Sequence, residues 1–295
     1  MRKALKWIGV IFGSFLLLVI VVAGAIFLRG KHKLEQTYEV TAPAVAVPAG
    51  PEAVARGEHI MSIHACRECH GPDLGGGVFL DIPPGLIVAT NLTAGEGGIG
   101  DRYGDADWDH AIRYGVDPDG RWLLPFMLYD VYHFIGDEDM GALIAYLKSL
   151  PPVDNELPES RLRLPGYLMA GIAGLDRHVR TASERPPTPP RGPTAAYGAY
   201  IASSICVGCH GSDLRGGPHP APGAPPGPDL AGAGVWPFED FARAVREGIG
   251  PGGRPLDPAM PSAYFTDMTD EELRALQAQF EEILQAQSAG TTAVP

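Results

Sequence analysis

The hydrophobic pattern opens on an unbroken apolar run. From Trp7 to Leu28, 22 residues carry no charge, and at about 1.5 Å rise per residue a helix over them reaches about 33 Å, enough to cross a hydrocarbon core. A cleaved signal peptide needs only about 7–15 apolar residues before a small-residue site. Val22-Ala23-Gly24-Ala25 offers such a site, but the run continues through Ile26, Phe27 and Leu28. The pattern therefore predicts an uncleaved anchor over 7–28, with Trp7 at an interface position. Residues 29–50 follow without helical period and end in proline and glycine, the composition of a spacer lifting the body off the membrane.

Beyond residue 50 apolar positions recur at helical spacing in short stretches. Helices are predicted over 52–63, 108–114 and 137–147, and again over 195–204, 238–247 and 270–280. The last of each set starts after an N-cap candidate, Gly136 or Thr269, and is acidic in its first turn. Met140, Leu143, Ile144 and Leu147 correspond to Leu273, Leu276, Gln277 and Phe280. Two segments, 51–152 and 194–295, thus repeat one another. In the linker between them, 153–193, the apolar stretch Tyr167–Leu175 is too short to span a bilayer and predicts a short helix between the domains or against the membrane surface. Arg185–Pro193, with five prolines, predicts a stiff tether. No sizeable sheet is expected, and the fold class is all-α.

The repeat carries chemistry. Cys66-Arg67-Glu68-Cys69-His70-Gly71-Pro72-Asp73-Leu74 matches Cys206-Val207-Gly208-Cys209-His210-Gly211-Ser212-Asp213-Leu214, both reading C-x-x-C-H-G-x-D-L. Two thiols three positions apart can add to the two vinyl groups of one haem, and the adjacent histidine can then bind its iron. Zinc would require further ligands at its usual spacing, which neither unit supplies. A thioredoxin-like dithiol would not need the histidine twice. The expectation is two covalently bound haem c groups using all four cysteines. Asp73 and Asp213 are expected to cap the turn after the histidine.

For the sixth ligand, the second shared string decides. Arg113 to Met127 and Arg246 to Met260 both read R-x-G-[V/I]-x-P-x-G-R-x-L-x-P-x-M, at an offset of 133 against 140 for the cysteines. The seven extra residues of the first unit are assigned to the Gly-rich stretch 93–104, read as a surface loop. Among the candidates Met61, Met127, Met140, His64, His110 and His133, only Met127 finds a methionine partner, Met260. Met61 matches Ile201 and His64 matches Ser204 when the units are aligned on the cysteines, and Met268 reads as packing. Arg121 and Arg254 recur together and fit either haem propionates or a solvated surface.

Charge narrows the function. The chain is net −12, but six cations precede the first acid, so from Leu34 onward 17 basic residues face 35 acidic ones and leave −18. Such a body is a poor polyanion binder, which argues against nucleic acid. The 38 glycines and 29 prolines promise many loops, so haem is expected to serve as much of each core. Three cations on each side of the apolar run give no orientation vote. Covalent haem implies export, and so an outer, periplasmic-type location for the body.

Two C-x-x-C-H units, each followed by the R-x-G to P-x-M string, resemble the class I cytochrome c domains of the cytochrome subunits serving membrane-bound alcohol, aldehyde and gluconate dehydrogenases. The resemblance covers 51–152 and 194–295, and 153–193 loosely. It implies small all-α haem domains, His/Met ligation by His70 with Met127 and His210 with Met260, and electrons passed from a dehydrogenase subunit toward quinone or an oxidase. Those subunits commonly carry three haem domains, whereas this sequence holds two. The expected function is a membrane-anchored electron carrier, not an enzyme, whose partner is a dehydrogenase subunit, an oxidase or another respiratory complex. The competing reading is a dihaem peroxidase, which needs one haem with an open sixth position.

Overall fold

The computed structural model describes residues 2–124, 126–172, 188–219 and 223–290. Helix α1 (Arg2–Leu34) is the one described helix long and apolar enough to cross a membrane, and most of the apolar side chains of that run stand exposed. The segment read as a spacer is not a free tether. Tyr38 N–H donates to Gly120 O at 2.8 Å, Thr37 bridges Arg121, and Val45 is buried in the core. Val45 and Val47 are apolar, and burial against the first domain outweighs the disorder that their Pro- and Ala-rich surroundings favour.

The first domain comprises α2 (Pro51–Ile63), α3 (Cys66–His70), a hairpin of β1 (Gly77–Ile82) and β2 (Gly85–Ala89), α4 (Asp105–Asp109), α5 (Tyr129–Tyr132) and α6 (Asp137–Lys148). Helix α4 continues as a π-helical turn over His110–Tyr114 and stops at left-handed Gly115. Between the domains lie β3 (Arg161–Leu162) and α7 (Leu164–Ile172). The second domain comprises α8 (Ala195–Ser204), α9 (Val207–His210), β4 (Arg215–Gly217), β5 (Gly227–Asp229), a 3-10 turn at Ala231–Val235, α10 (Phe238–Glu247), β6 (Ile249–Gly250), β7 (Arg254–Pro255) and α11 (Asp270–Ser288).

The helical expectations meet these elements closely, except that α11 runs eight residues further than predicted. Thr269 caps it through a reciprocal pair with Glu272. The all-α expectation is corrected: the fold is mainly helical but includes a three-stranded antiparallel sheet, β1-β2-β3, and two short ribbons, β4-β5 and β6-β7. Val78, Ile82, Ile87 and Val88 are β-branched, and Pro83 and Pro84 stop any helix at the hairpin tip. The Gly-rich stretch 93–104 has no regular structure, yet Thr93 is fully buried and ties back to Asn91 and Val153. Of the Pro-rich 185–193, residues 185–187 lie outside the described residues, as do Ala173–Leu175 of the apolar linker stretch.

Within each domain the helix before the cysteines crosses the last helix at a glycine. A Cβ on Gly57 would collide with the Ala142 carbonyl, and one on Gly198 with the Ala275 carbonyl. This packing revises the cysteine-anchored alignment by one residue, pairing Ile201 with Ile60 rather than with Met61. The extra residue of the first domain is absorbed at Ala65, held left-handed at φ 57° between α2 and α3.

The two domains share one continuous apolar cluster, and their polar contacts come in exchanged pairs. His59 of α2 meets Glu272 of α11 at 2.7 Å, and Tyr200 of α8 donates to Asp139 of α6 at 2.6 Å. The glycine register makes His59 the counterpart of Tyr200, just as Asp139 is of Glu272. At the cysteine helices, a Cβ on Gly208 would sit 3.3 Å from Val131 Cγ2, while the Tyr264 hydroxyl faces the Glu68 carboxylate. Gly208 corresponds to Glu68, and Tyr264 to Val131. Such reciprocity defines an approximate two-fold axis between the domains.

Candidate haem-binding sites

In each unit the two cysteines and the histidine share a single helical turn. At spacings of three and four, Cys66, Cys69 and His70 lie on one face of α3, and Cys206, Cys209 and His210 on one face at α9. All four thiols are free and half-buried. Burial pushes Cys66 and Cys206 up to about 12 and raises Cys69 and Cys209 as well. No cluster of three or more metal-ligating side chains exists among the described residues.

The histidines are oriented by backbone carbonyls. His70 Nδ1 lies 2.8 Å from Thr90 O and His210 Nδ1 2.9 Å from Pro228 O. A carbonyl only accepts, so each Nδ1 carries the proton and each Nε2 keeps a lone pair for a metal. Burial lowers the proton affinity of both rings, which holds them neutral. The chain then turns through Gly71 and Gly211, each at φ 80°, where an L side chain would be strained. Asp73 Oδ1 accepts from Gly75 N and Asp213 Oδ1 from Arg215 N, so both aspartates close the following turn. Leu74 and Leu214 follow at φ 59° and 60° and are buried.

Met127 and Met260 lie on matching turns. Met127 N–H donates to Leu124 O and Met260 N–H to Asp257 O, while Tyr129 N–H and Ser262 N–H return to the methionine carbonyls at 2.9 Å. Both side chains pack half-buried against the core. The rejected candidates sit elsewhere: Met61 and Met140 are fully buried, and Met268 nearly so. His64 caps the end of α2, holding Ile60 O at 2.8 Å and Ser204 Oγ at 3.2 Å. His133 Nδ1 contacts Arg113 O.

The first residue of the R-x-G string holds the methionine loop, a role the sequence did not disclose. Arg113 donates to Ile135 O at 3.1 Å and to Asp137 at 2.7 Å, closing the loop from Gly115 onward against the start of α6. Arg246 repeats this with Met268 O at 2.9 Å and Asp270 at 2.8 Å. The motif arginine was visible, but a carbonyl 22 residues away leaves no sequence signature. The later arginine, Arg121, is exposed and engages Asp117 at 3.0 Å and Asp119 at 2.9 Å. Arg254 is exposed on β7.

The donor set suits covalent haem: two neutral thiols, an imidazole with free Nε2 and a thioether on a fixed turn, built twice. The Trp108 indole N–H is also buried without a partner among the described residues, a donor that a cofactor carboxylate could satisfy. Sequence comparison agrees. Residues 54–151 match the family model described as cytochrome c, and 193–278 match the model described as cytochrome C oxidase, cbb3-type, subunit III. The two domains belong to the c-type cytochromes, and the chain carries two covalently bound haem c groups. Its role is electron transfer of the cytochrome c kind.

Among relatives, the chain is 30% identical over 262 residues to the cytochrome c subunit of alcohol dehydrogenase (quinone) from Gluconacetobacter polyoxogenes, covering 77% of this chain and 56% of that protein. It is 33% identical to the gluconate 2-dehydrogenase cytochrome c subunit of Pantoea cypripedii, covering 55% and 38%. A protein named diheme cytochrome c-type from Cereibacter sphaeroides is 27% identical, covering 78% of this chain and 85% of its own length. The chain thus spans just over half, or less, of the dehydrogenase subunits it matches.

Proposed function

We propose that the protein is a membrane-anchored dihaem relay passing single electrons on the outer side of the cytoplasmic membrane. In this reading Cys66 and Cys69 would hold one haem and Cys206 and Cys209 the other, with His70 and Met127, and His210 and Met260, as the iron ligands. Haem c, when bound, supplies a one-electron couple at its iron. The residues do the rest. Thr90 and Pro228 carbonyls aim the imidazoles and Arg113 and Arg246 fix the methionine loops, so that histidine and methionine together would hold the iron at a raised potential and leave no room for a small molecule there. Closed positions favour transfer over turnover.

The observation that carries this reading is the exchanged packing of the two units, which sets α3 beside the Tyr264 turn and α9 beside α5. Both sites then lie at one shared interface, suited to an internal electron step. The acidic body favours docking to a basic partner face with salt-sensitive rates. The relatives' names support a dehydrogenase catalytic subunit as donor, and export for covalent haem attachment supports α1 remaining as the anchor.

An alkaline pyridine spectrum should give two haems per chain, and the reduced protein should not bind carbon monoxide. Met127→Ala and Met260→Ala should each open one haem to carbon monoxide and lower its potential. Carbon monoxide binding or hydrogen peroxide turnover by the unaltered protein overturns the relay in favour of a peroxidase.

A further inference from the structure

The apolar linker helix α7 has a face that the electron-transfer reading leaves unused. No residue from Leu164 to Ile172 is charged. One side is fully engaged: Gly30 and Gly171 bring α7 and α1 into backbone contact, Phe27 meets the Tyr167 ring edge-to-face at 5.3 Å, and Gly166 packs on the Pro84 carbonyl. The opposite side carries Leu164 (60% exposed), Pro165, Met169 (58%) and Ile172 (70%). Open water is a costly surrounding for three such side chains in a row.

The level at which this face sits identifies what covers it. Helix α7 contacts α1 over Ile26–Gly30, where the apolar run ends and Arg29, Lys31 and Lys33 begin. That is the boundary between hydrocarbon and headgroups for a helix that crosses the bilayer. Beside α7 lies the β1-β2 hairpin tip, tied on by Arg163, which donates to Ile82 O at 2.6 Å and to Asp81 at 2.7 Å. Ile82 and Pro83 at this tip are exposed too. An interfacial helix ordinarily needs a polar side toward water. Here the protein covers that side, so an entirely apolar helix can serve.

We infer that α7 is a second membrane contact: its Leu164, Met169 and Ile172 face enters the acyl-chain boundary of a phospholipid bilayer beside α1. The inference rests on the reading of α1 as an anchor. Two contacts rather than one stop the first domain from swivelling about α1 and hold it at a set orientation to the membrane.

The haem-loaded full chain, reconstituted into phosphatidylcholine vesicles with a photoactivatable diazirine in the acyl chain, tests it. After irradiation, tryptic peptide 164–177 should be labelled about tenfold above peptides of α10 and α11, alongside strong labelling of 7–29. The triple variant Leu164→Glu, Met169→Glu, Ile172→Glu should lose the label on 164–177 and keep it on 7–29. Label on 7–29 but only background on 164–177 overturns the inference and leaves the anchor standing. No label on 7–29, with release of the protein by alkaline carbonate, overturns the anchor reading and this inference with it. A protein subunit photocrosslinked to α7 in native membranes, with no lipid label there, would show that another chain covers this face.

Discussion

The two haem domains solve one problem in two ways. In the second, Arg246 is partly exposed and ties the methionine loop down through Met268 O and Asp270. In the first, Arg113 is wholly buried and has acquired a buried partner, Asp109, at a position where the second domain has Ala242. Burial pushes the Asp109 carboxyl up even with the guanidinium beside it. The segment carrying this pair is also the one that loosens into a π-helical turn, a local irregularity common at functional sites. The same clamp is thus a surface ion pair in one copy and a desolvated network in the other, and its energetic weight should differ accordingly.

Removing the arginines tests that difference most sharply. Arg113→Leu strands Asp109 and should cost about 3–5 kcal/mol, read as a fall in the heat-unfolding midpoint of the haem-loaded protein. Arg246→Leu should cost only about 1–2 kcal/mol. Adding Asp109→Ala, which imports the second domain's residue, should recover much of the loss in Arg113→Leu. Equal costs for the two single variants would erase the distinction.

The exchanged interface contacts sharpen the comparison at smaller magnitude. Tyr200→Phe removes a donor from Asp139 and an acceptor from the Gly136 N–H, and should cost about 1–3 kcal/mol by the same measurement. Its counterpart His59 behaves differently because it titrates. The hydrogen bond to Glu272 raises the pKa of His59 above its ordinary 6.5 despite partial burial. A raised histidine stabilises the fold fully below the unfolded pKa and loses that contribution as pH climbs through the folded one. Stability should therefore decline from about pH 6.5 upward, and His59→Ala should flatten that decline whereas Tyr200→Phe leaves it intact. The smallest effect belongs to the inserted residue: Ala65→Gly relieves a left-handed alanine and should gain about 0.5–1 kcal/mol.

These contrasts also mark where the amino-acid pattern was legible. The cysteine, histidine and methionine strings stand out because both units repeat them at matching spacing, and the helices stand out because their apolar period survives in both copies. The strands were missed for a physical reason. Strands β6 and β7 are two residues each, and β3 owes its existence to pairing with Gly85 and Leu86, more than 70 residues earlier. The spacer was misread because two valines carry its packing against the first domain. Anchoring the repeat on the cysteines hid the one-residue slip at Ala65, and with it the correspondence of His59 to Tyr200.

The reciprocal interface has a consequence for how such a chain holds together. An isologous surface is one that a lone domain could offer to its own copy, and a free pair of that kind would separate on dilution. Joining the copies within one chain replaces that equilibrium with an intramolecular one that dilution does not touch. The arrangement is that of a dimer held within one chain, and two non-identical halves can diverge, as the buried Arg113–Asp109 pair and the partly exposed Arg246 already do.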